Sequence, residues 1–164
     1  LPGSSNHLAA ELFKSMAGVE FVRLNYKGAG PALTGLLSGE AHVMFASSGS
    51  VAPQLKSGKL SALAVTSAEP SLLLPGVPTV AATVPGYESV GITAIFAPAN
   101  TPAAIARRLN QEIVRVLKTP EAKDQLLKLG LEVVASSPEQ LAAIVRMETA
   151  RLGKVIKDAG IRID

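Results

Sequence analysis

The sequence predicts an α/β protein: a first part of parallel-type βαβ units followed by a helix-rich remainder. Two observations predict this class. As far as Val65, apolar residues alternate between strand-like runs and helical stripes joined by short Gly/Ser connections, the pattern of parallel βαβ units. From Thr101 onward the spacing turns helical, and three helices open on one device: Thr101-Pro102, Thr119-Pro120 and Ser137-Pro138. A hydroxyl at the cap accepts a bond from a free backbone N–H, and Pro at the first helical position has no N–H to leave unpaired. Of the 164 residues, 48% are apolar and 18% charged, which excludes intrinsic disorder. The lack of Cys excludes a disulfide scaffold, a thiolate nucleophile and Cys-based metal sites. No apolar run approaches the length of a membrane span.

Taken in order, Leu8, Ala9, Leu12, Phe13 and Met16 share one stripe, a helix over 5–17 that Ser4 or Ser5 caps and Gly18 stops. Glu20–Tyr26 reads as a strand. Gly28, Gly30 and Pro31 open a second helix, with Leu33, Leu36 and Leu37 facing inward and Gly39 at its end. A buried strand follows at Val43–Phe45, then a Ser/Gly loop into a helix that ends at Gly58, then a strand over Leu60–Val65. Pro70, Pro75, Pro78 and Pro85 hold a long irregular connection over 67–88, with one short helix at 79–84. Ser89–Ala97 and Leu131–Ala135 read as strands. The last helix carries Leu141, Ile144, Val145, Leu152 and Ile156, closed by Gly160.

The net charge of +3 is unevenly distributed. Residues 1–100 hold five Lys/Arg and five Asp/Glu, so residues 101–164 supply the whole excess. There the charges alternate in sign along helices, which reads as solvated surface and not as a nucleic-acid face.

Catalytic and metal motifs are missing. His7 and His42 are the only histidines, with no H-E-x-x-H and no carboxylate in a metal-binding pattern. There is no phosphate-binding loop, no G-x-S-x-G elbow, and no carboxylate at a strand's C-terminal end. In their place stand three Gly/Ser-rich junctions: Gly3-Ser4-Ser5-Asn6-His7, Tyr26-Lys27-Gly28-Ala29-Gly30 and Ala46-Ser47-Ser48-Gly49-Ser50. Junctions of this kind present free N–H groups, hydroxyls and the positive end of a helix dipole, a set suited to a carboxylate. The candidate ligand residues are Gly3, Ser4, Ser5, His7, Tyr26, Lys27, Gly28, Gly30, Ala46, Ser47 and Ser48. Each has a plainer reading as a cap, a turn or exposed surface: Lys27 as an exposed cation, Tyr26 as a cover for the sheet edge, His7 as a packing residue.

The run Gly3-Ser4-Ser5-Asn6-His7-Leu8-Ala9-Ala10-Glu11-Leu12-Phe13-Lys14 resembles the G-S-x-x-H-L-A-x-E-L-F-K segment of the Bug family, the periplasmic solute receptors of tripartite tricarboxylate transporters. Tyr26-Lys27-Gly28, Val43-Met44-Phe45, Gly58-Lys59-Leu60, Pro75-Gly76-Val77-Pro78-Thr79-Val80 and Pro85-Gly86-Tyr87-Glu88 continue the resemblance in order along the whole chain. It implies a partial type II periplasmic binding-protein fold, with residues 1–88 as most of the second lobe and 89–164 returning to the first. In this alignment most of the first lobe is missing and Leu1 is an internal position. The resemblance further implies a receptor without catalytic function or cofactor. Such a receptor binds a small carboxylate in the interlobe cleft, passes it to membrane transporter subunits, and lives in the periplasm. Many members carry Asp or another polar residue straight after the Met-Phe pair. Ala46 stands here instead, so a fully anionic ligand is favoured over one with an amino group. Two alternatives remain: a small α/β enzyme using Ser47, Ser48 and His7 on a carboxylate, or a remnant without binding activity. The absent lobe is expected to leave apolar surface through which the chain self-associates.

Overall fold

The structure, a computed structural model, describes residues 3–158, 160 and 161. Leu1 and Pro2, where the sequence reading places an internal position, lie outside them. The helices are α1 (Ser5–Ala17), α2 (Ala29–Leu37), α3 (Ser48–Lys56), α4 (Ala103–Leu117), α5 (Pro120–Lys128) and α6 (Pro138–Asp158), with one 3₁₀ turn at Val80–Ala82.

The helix ends follow the local chemistry of the sequence. Ser4 is extended and its Oγ accepts the His7 N–H at 3.3 Å, which starts α1; Gly18, in the left-handed region at φ 64°, ends it. Thr119 accepts the Ala122 N–H at 3.3 Å, with Pro120 as the first residue of α5. At α6, Ser137 Oγ accepts the Gln140 N–H at 3.2 Å while Gln140 Oε1 accepts the Ser137 N–H at 2.8 Å, a reciprocal capping box. Thr101 departs from the pattern. Pro102 itself takes the cap position of α4, so no hydroxyl serves there. At the end of α5, the Gly130 N–H donates to Leu127 O and the Leu131 N–H to Leu126 O, both at 2.9 Å, a Schellman turn with Gly130 at φ 80°.

The expected strands correct the sequence reading. Among the described residues, Glu20–Tyr26, Val43–Phe45, Leu60–Val65, Ser89–Ala97 and Leu131–Ala135 form no ladder, and pairing is limited to a single parallel bridge between Val65 and Thr79. There the Val65 N–H donates to Pro78 O at 2.8 Å and the Val80 N–H to Val65 O at 2.9 Å. A helix satisfies its backbone within one segment, whereas a strand needs a neighbour about 4.8 Å away along its length. These segments have strand composition without such neighbours. Their apolar side chains are correspondingly open to solvent: Val22, Leu63, Ile95, Phe96 and Val134 are between 71% and 88% exposed. Val43, expected inside a buried strand, and Leu37, expected to face inward, are exposed as well.

The core lies where the sequence suggests an irregular connection. Tyr87, 1% exposed, packs with Leu12 of α1, Val80 of the 3₁₀ turn and Val155 of α6, and Phe13 and Val84 close over them. The Phe13 ring meets Tyr87 edge-on at 6.1 Å and reaches Phe45 at 5.9 Å. The Tyr87 hydroxyl donates to Ala9 O at 2.9 Å, and burial pushes its pKa up to about 12, against a smaller lowering by Arg151. Two glycines make a second, backbone contact. A Cβ on Gly49 would overlap the Leu129 carbonyl, and one on Gly130 would overlap the Gly49 amide, so only Gly fits at either position.

Tyr87→Ala is expected to destabilise the chain by about 3–5 kcal/mol, as for other buried aromatics. Tyr87→Phe removes only the hydrogen bond to Ala9, at a cost of about 1 kcal/mol. Urea unfolding of both variants measures the two terms; equal small losses would remove Tyr87 from the centre of the core.

Candidate functional site

The first junction is built around His7. This ring is buried, and its Nδ1 accepts the Gly3 N–H at 3.0 Å. The Arg23 guanidinium contacts Nε2, with its Nη1 3.3 Å from Nδ1, and Glu11 Oε1 lies 3.4 Å from Nε2. Burial first, then the Arg23 charge, hold the His7 pKa below the usual histidine value, and Glu11 pulls the other way. Lys14 links Glu11 (3.8 Å) to Glu20 (3.0 Å) and lies over the Phe21 ring. One side of α1 therefore grips residues 20–23. On its other side a shallow cleft of about 220 Å³ opens, lined by Ser5 and Leu8, residues 89–92, and Glu148 and Leu152 of α6. Glu148 is paired with Arg151 at 2.7 Å, which offsets the one acidic charge in the cleft.

At the second junction Tyr26 folds back on its own helix. A methyl group on Gly35 would collide with the Tyr26 ring, and the phenol hydroxyl, shielded there, has no hydrogen-bond partner of proper geometry. Burial, then the Glu40 carboxylate, push the Tyr26 pKa upward. Tyr26 thus covers α2, where the sequence suggests a sheet edge. Lys27 is exposed, Gly28 caps α2 at φ 138°, and Gly30 is exposed in its first turn.

The third junction turns inward on itself. The Ser50 hydroxyl donates to Ser47 O at 2.7 Å, the Ser47 hydroxyl donates to Ser50 Oγ at 3.2 Å, and the Leu129–Gly130 turn presses on Gly49. Ala46 and Ser48 are half-buried and Ser47 is exposed. Neither Ser47 nor Ser48 hydrogen-bonds His7, so the Ser–His pair that an enzyme reading needs does not form. Among the described residues no hydrogen bond joins one junction to another. They are linked indirectly: Arg23, on the approach to the second, reaches His7 of the first, and Phe45, on the approach to the third, reaches Phe13 of α1.

Sequence reasoning overlooked Arg23, Glu11 and the cleft wall at 89–92. Two signals were available: Arg23 is the only Arg in the first hundred residues, and His7 and Glu11 stand four apart on one helix. A larger hollow of about 410 Å³, lined by Val134, Ser136, Gln140, Ala143 and Ile144, holds none of the candidate residues. Its walls are mainly apolar and Gln140 is already engaged in the α6 cap, so it offers little to a carboxylate.

Residues 2–161 match the tripartite tricarboxylate transporter family receptor. The chain belongs to this receptor family. It is 36% identical over 94% of its length to the UPF0065 protein of the tcbD-tcbE intergenic region of Pseudomonas sp. strain P51, and covers 46% of that relative. It is 35% identical to the corresponding clcB-clcD protein of Pseudomonas knackmussii, covering 94% of itself and 92% of the relative. Bordetella pertussis BugT is 30% identical over 98% of the chain and 50% of its own length. Among solved structures, an R. palustris protein with adipate is 38% identical and superposes with TM-score 0.84, over 97% of this chain and 54% of that one. The periplasmic binding protein BugD (TM-score 0.78, 30% identical) aligns over 98% of this chain and 55% of its own. MatC from Rhodopseudomonas palustris with bound malate (0.71, 28%) aligns over 94% and 54%. The chain path is that of periplasmic binding proteins, and the chain spans about half the length of most curated relatives it matches. Among the described residues no helix is long and apolar enough to cross a membrane.

In this family member, His7 is held neutral in the folded state below the pH at which it would protonate unfolded. The unfolded chain then binds more protons, so stability rises with pH across the interval up to the ordinary histidine value near 6.5 and is lost below it. Thermal midpoints should fall from pH 7 to pH 5 in the wild type, with a shallower fall in His7→Gln. Identical pH profiles would assign the acid sensitivity to other groups.

Proposed function

We propose that this chain forms the ligand-holding part of a periplasmic receptor that captures a small dicarboxylate and delivers it to a tripartite tricarboxylate-type membrane transporter. The observation that carries the reading is its likeness, over 94–97% of its length, to proteins solved with adipate and with malate. The first junction supports it chemically: a capped helix N-terminus with a serine on a cleft, where amides and hydroxyls hold a carboxylate without a fixed countercharge. In this reading Gly3, Ser4, Ser5 and His7 form the principal contact region. Tyr26, Lys27, Gly28 and Gly30 border it from α2. Ala46, Ser47 and Ser48 contribute from α3 once Ser47 and Ser50 release each other. Residues 1–88 are then most of the second lobe and 89–164 the part returning to the first, the ligand lying between lobes. No catalytic step and no cofactor enter this scheme.

Calorimetry and thermal shift with adipate, malate, aspartate and glutamate test it. The dicarboxylates are expected to bind, stabilising the chain by about 2.7 kcal/mol at a hundredfold excess over Kd. Ser5→Ala is expected to weaken them about tenfold. Absence of dicarboxylate binding overturns the receptor reading, and tighter binding of aspartate or glutamate overturns the role given to Ala46.

The exposed surface supports self-association of the isolated chain. It amounts to 11379 Å² at 16.9 kDa, whereas a folded monomer of that mass exposes about 7,700 Å². At about 3,700 Å² per chain, the difference is well above the roughly 800 Å² that each partner buries in a standard interface. Sedimentation should show a concentration-dependent dimer or larger species; a clean monomer at high concentration removes this part of the proposal.

A further inference from the structure

Arg23 stands apart from the other cations near α1. Lys14 has two carboxylate partners, Glu11 and Glu20, whereas Arg23 makes no ion pair within 4.0 Å among the described residues. Its guanidinium is instead directed at the buried ring of His7. A guanidinium has five N–H donors and no acceptor, so this contact requires a lone pair on the imidazole. Neutral imidazole has one such lone pair. If Nε2 carries it, Arg23 takes it; if Nδ1 carries it, the Gly3 N–H at 3.0 Å takes it and the Nε2 proton turns to Glu11 at 3.4 Å. Imidazolium has none, and protonation would place a second cation against Arg23. Either contact therefore depends on the ring staying neutral, and the tautomer decides which of the two is made.

The contact joins two places that matter for a ligand. His7 lies in the first turn of α1, where its amide is held by Ser4. Arg23 lies three residues before Tyr26, on the segment that enters α2. We propose that Arg23 is a positioning residue for the ligand: through the His7 ring, whose own backbone amide is tied to Ser4, it holds the start of α1 in register with the approach to the Tyr26–Gly30 junction. This rests on the receptor reading above and adds to it a residue that does not itself touch the ligand. Arg23 from the 20–26 segment and Glu11 from α1, the latter shared with Lys14, are the charged side chains that face the ring.

The test compares wild type, Arg23→Gln and Arg23→Lys by NMR titration of the His7 ring without ligand and by adipate affinity between pH 5 and pH 8. Removing the Arg23 charge should move the His7 titration upward, because that charge is one of the causes that hold it down. Arg23→Gln is expected to weaken adipate about tenfold and to move the acid loss of affinity to higher pH, whereas Arg23→Lys keeps most of both. An unmoved His7 titration in Arg23→Gln overturns the proposal whatever the ligand does. Unchanged adipate affinity with a shifted His7 titration also overturns it and leaves the receptor reading standing. If wild type binds neither adipate nor malate, the receptor reading fails and the ligand-positioning role of Arg23 fails with it. A shifted titration would then show only that the contact exists.

Discussion

Tyr87 joins three parts of the chain at one point. Its ring fills the space between Leu12 of α1 and Val155 of α6, with Val80 below, and its hydroxyl is satisfied by a carbonyl of α1. A buried phenol without an acceptor would be costly, and a phenylalanine would pack without fixing the angle of α1. Through this contact the Pro-rich connection becomes core, and α1 acquires a set position relative to α6. The cleft beside Ser5 exists because α1, residues 89–92 and α6 are held together above that core. Arg151 adds to the arrangement by binding the Glu88 carbonyl, the residue after Tyr87, and Glu148 at the cleft wall.

The two sides of α1 then carry different chemistry. Leu8 and Leu12 turn toward α6 and the core, while His7, Glu11 and Lys14 turn toward residues 20–23. Four-residue spacing along a helix places His7 and Glu11 on one face, and the same periodicity places Leu8 and Leu12 on the adjacent one. The N-terminal turn is shared by both sides. In the proposed receptor, a ligand at this turn would feel the packing of the core on one side and the protonation of a buried imidazole on the other. Neutral donors accept a carboxylate without the desolvation cost of a fixed ion pair, which suits the proposed capture and release of a carboxylate.

Much of the helical part was legible in the sequence because helices carry their determinants locally. Ser4, Gly18, Thr119-Pro120 and Ser137-Pro138 act within a few residues of themselves, and the structure places helix ends at them. Thr101 shows the margin of such reasoning: a shift of one residue left Pro102 at the cap and the hydroxyl unused. The candidate site was legible in part. Gly3, Ser4, Ser5 and His7 do sit at a helix N-terminus on a cleft, but only Ser5 of the four lines that cleft, and the sequence could not show that Ser47 and Ser50 bond each other or that Tyr26 lies on Gly35.

By itself, then, the sequence determined the helices, the caps of α1, α5 and α6, and the family, since these depend on residue types in fixed local order. Only the tertiary structure decided which segments are buried. Residues 89–97 and 60–65 have the composition of strands, yet a strand exists only where a neighbour supplies its hydrogen bonds, and among the described residues the sole bridge is Val65 with Thr79. Tertiary structure also decided that Arg23 meets His7 across sixteen residues of chain and that Leu129 closes on Gly49. Contacts of that kind follow from how the core around Tyr87 orients the elements, and no local pattern encodes them.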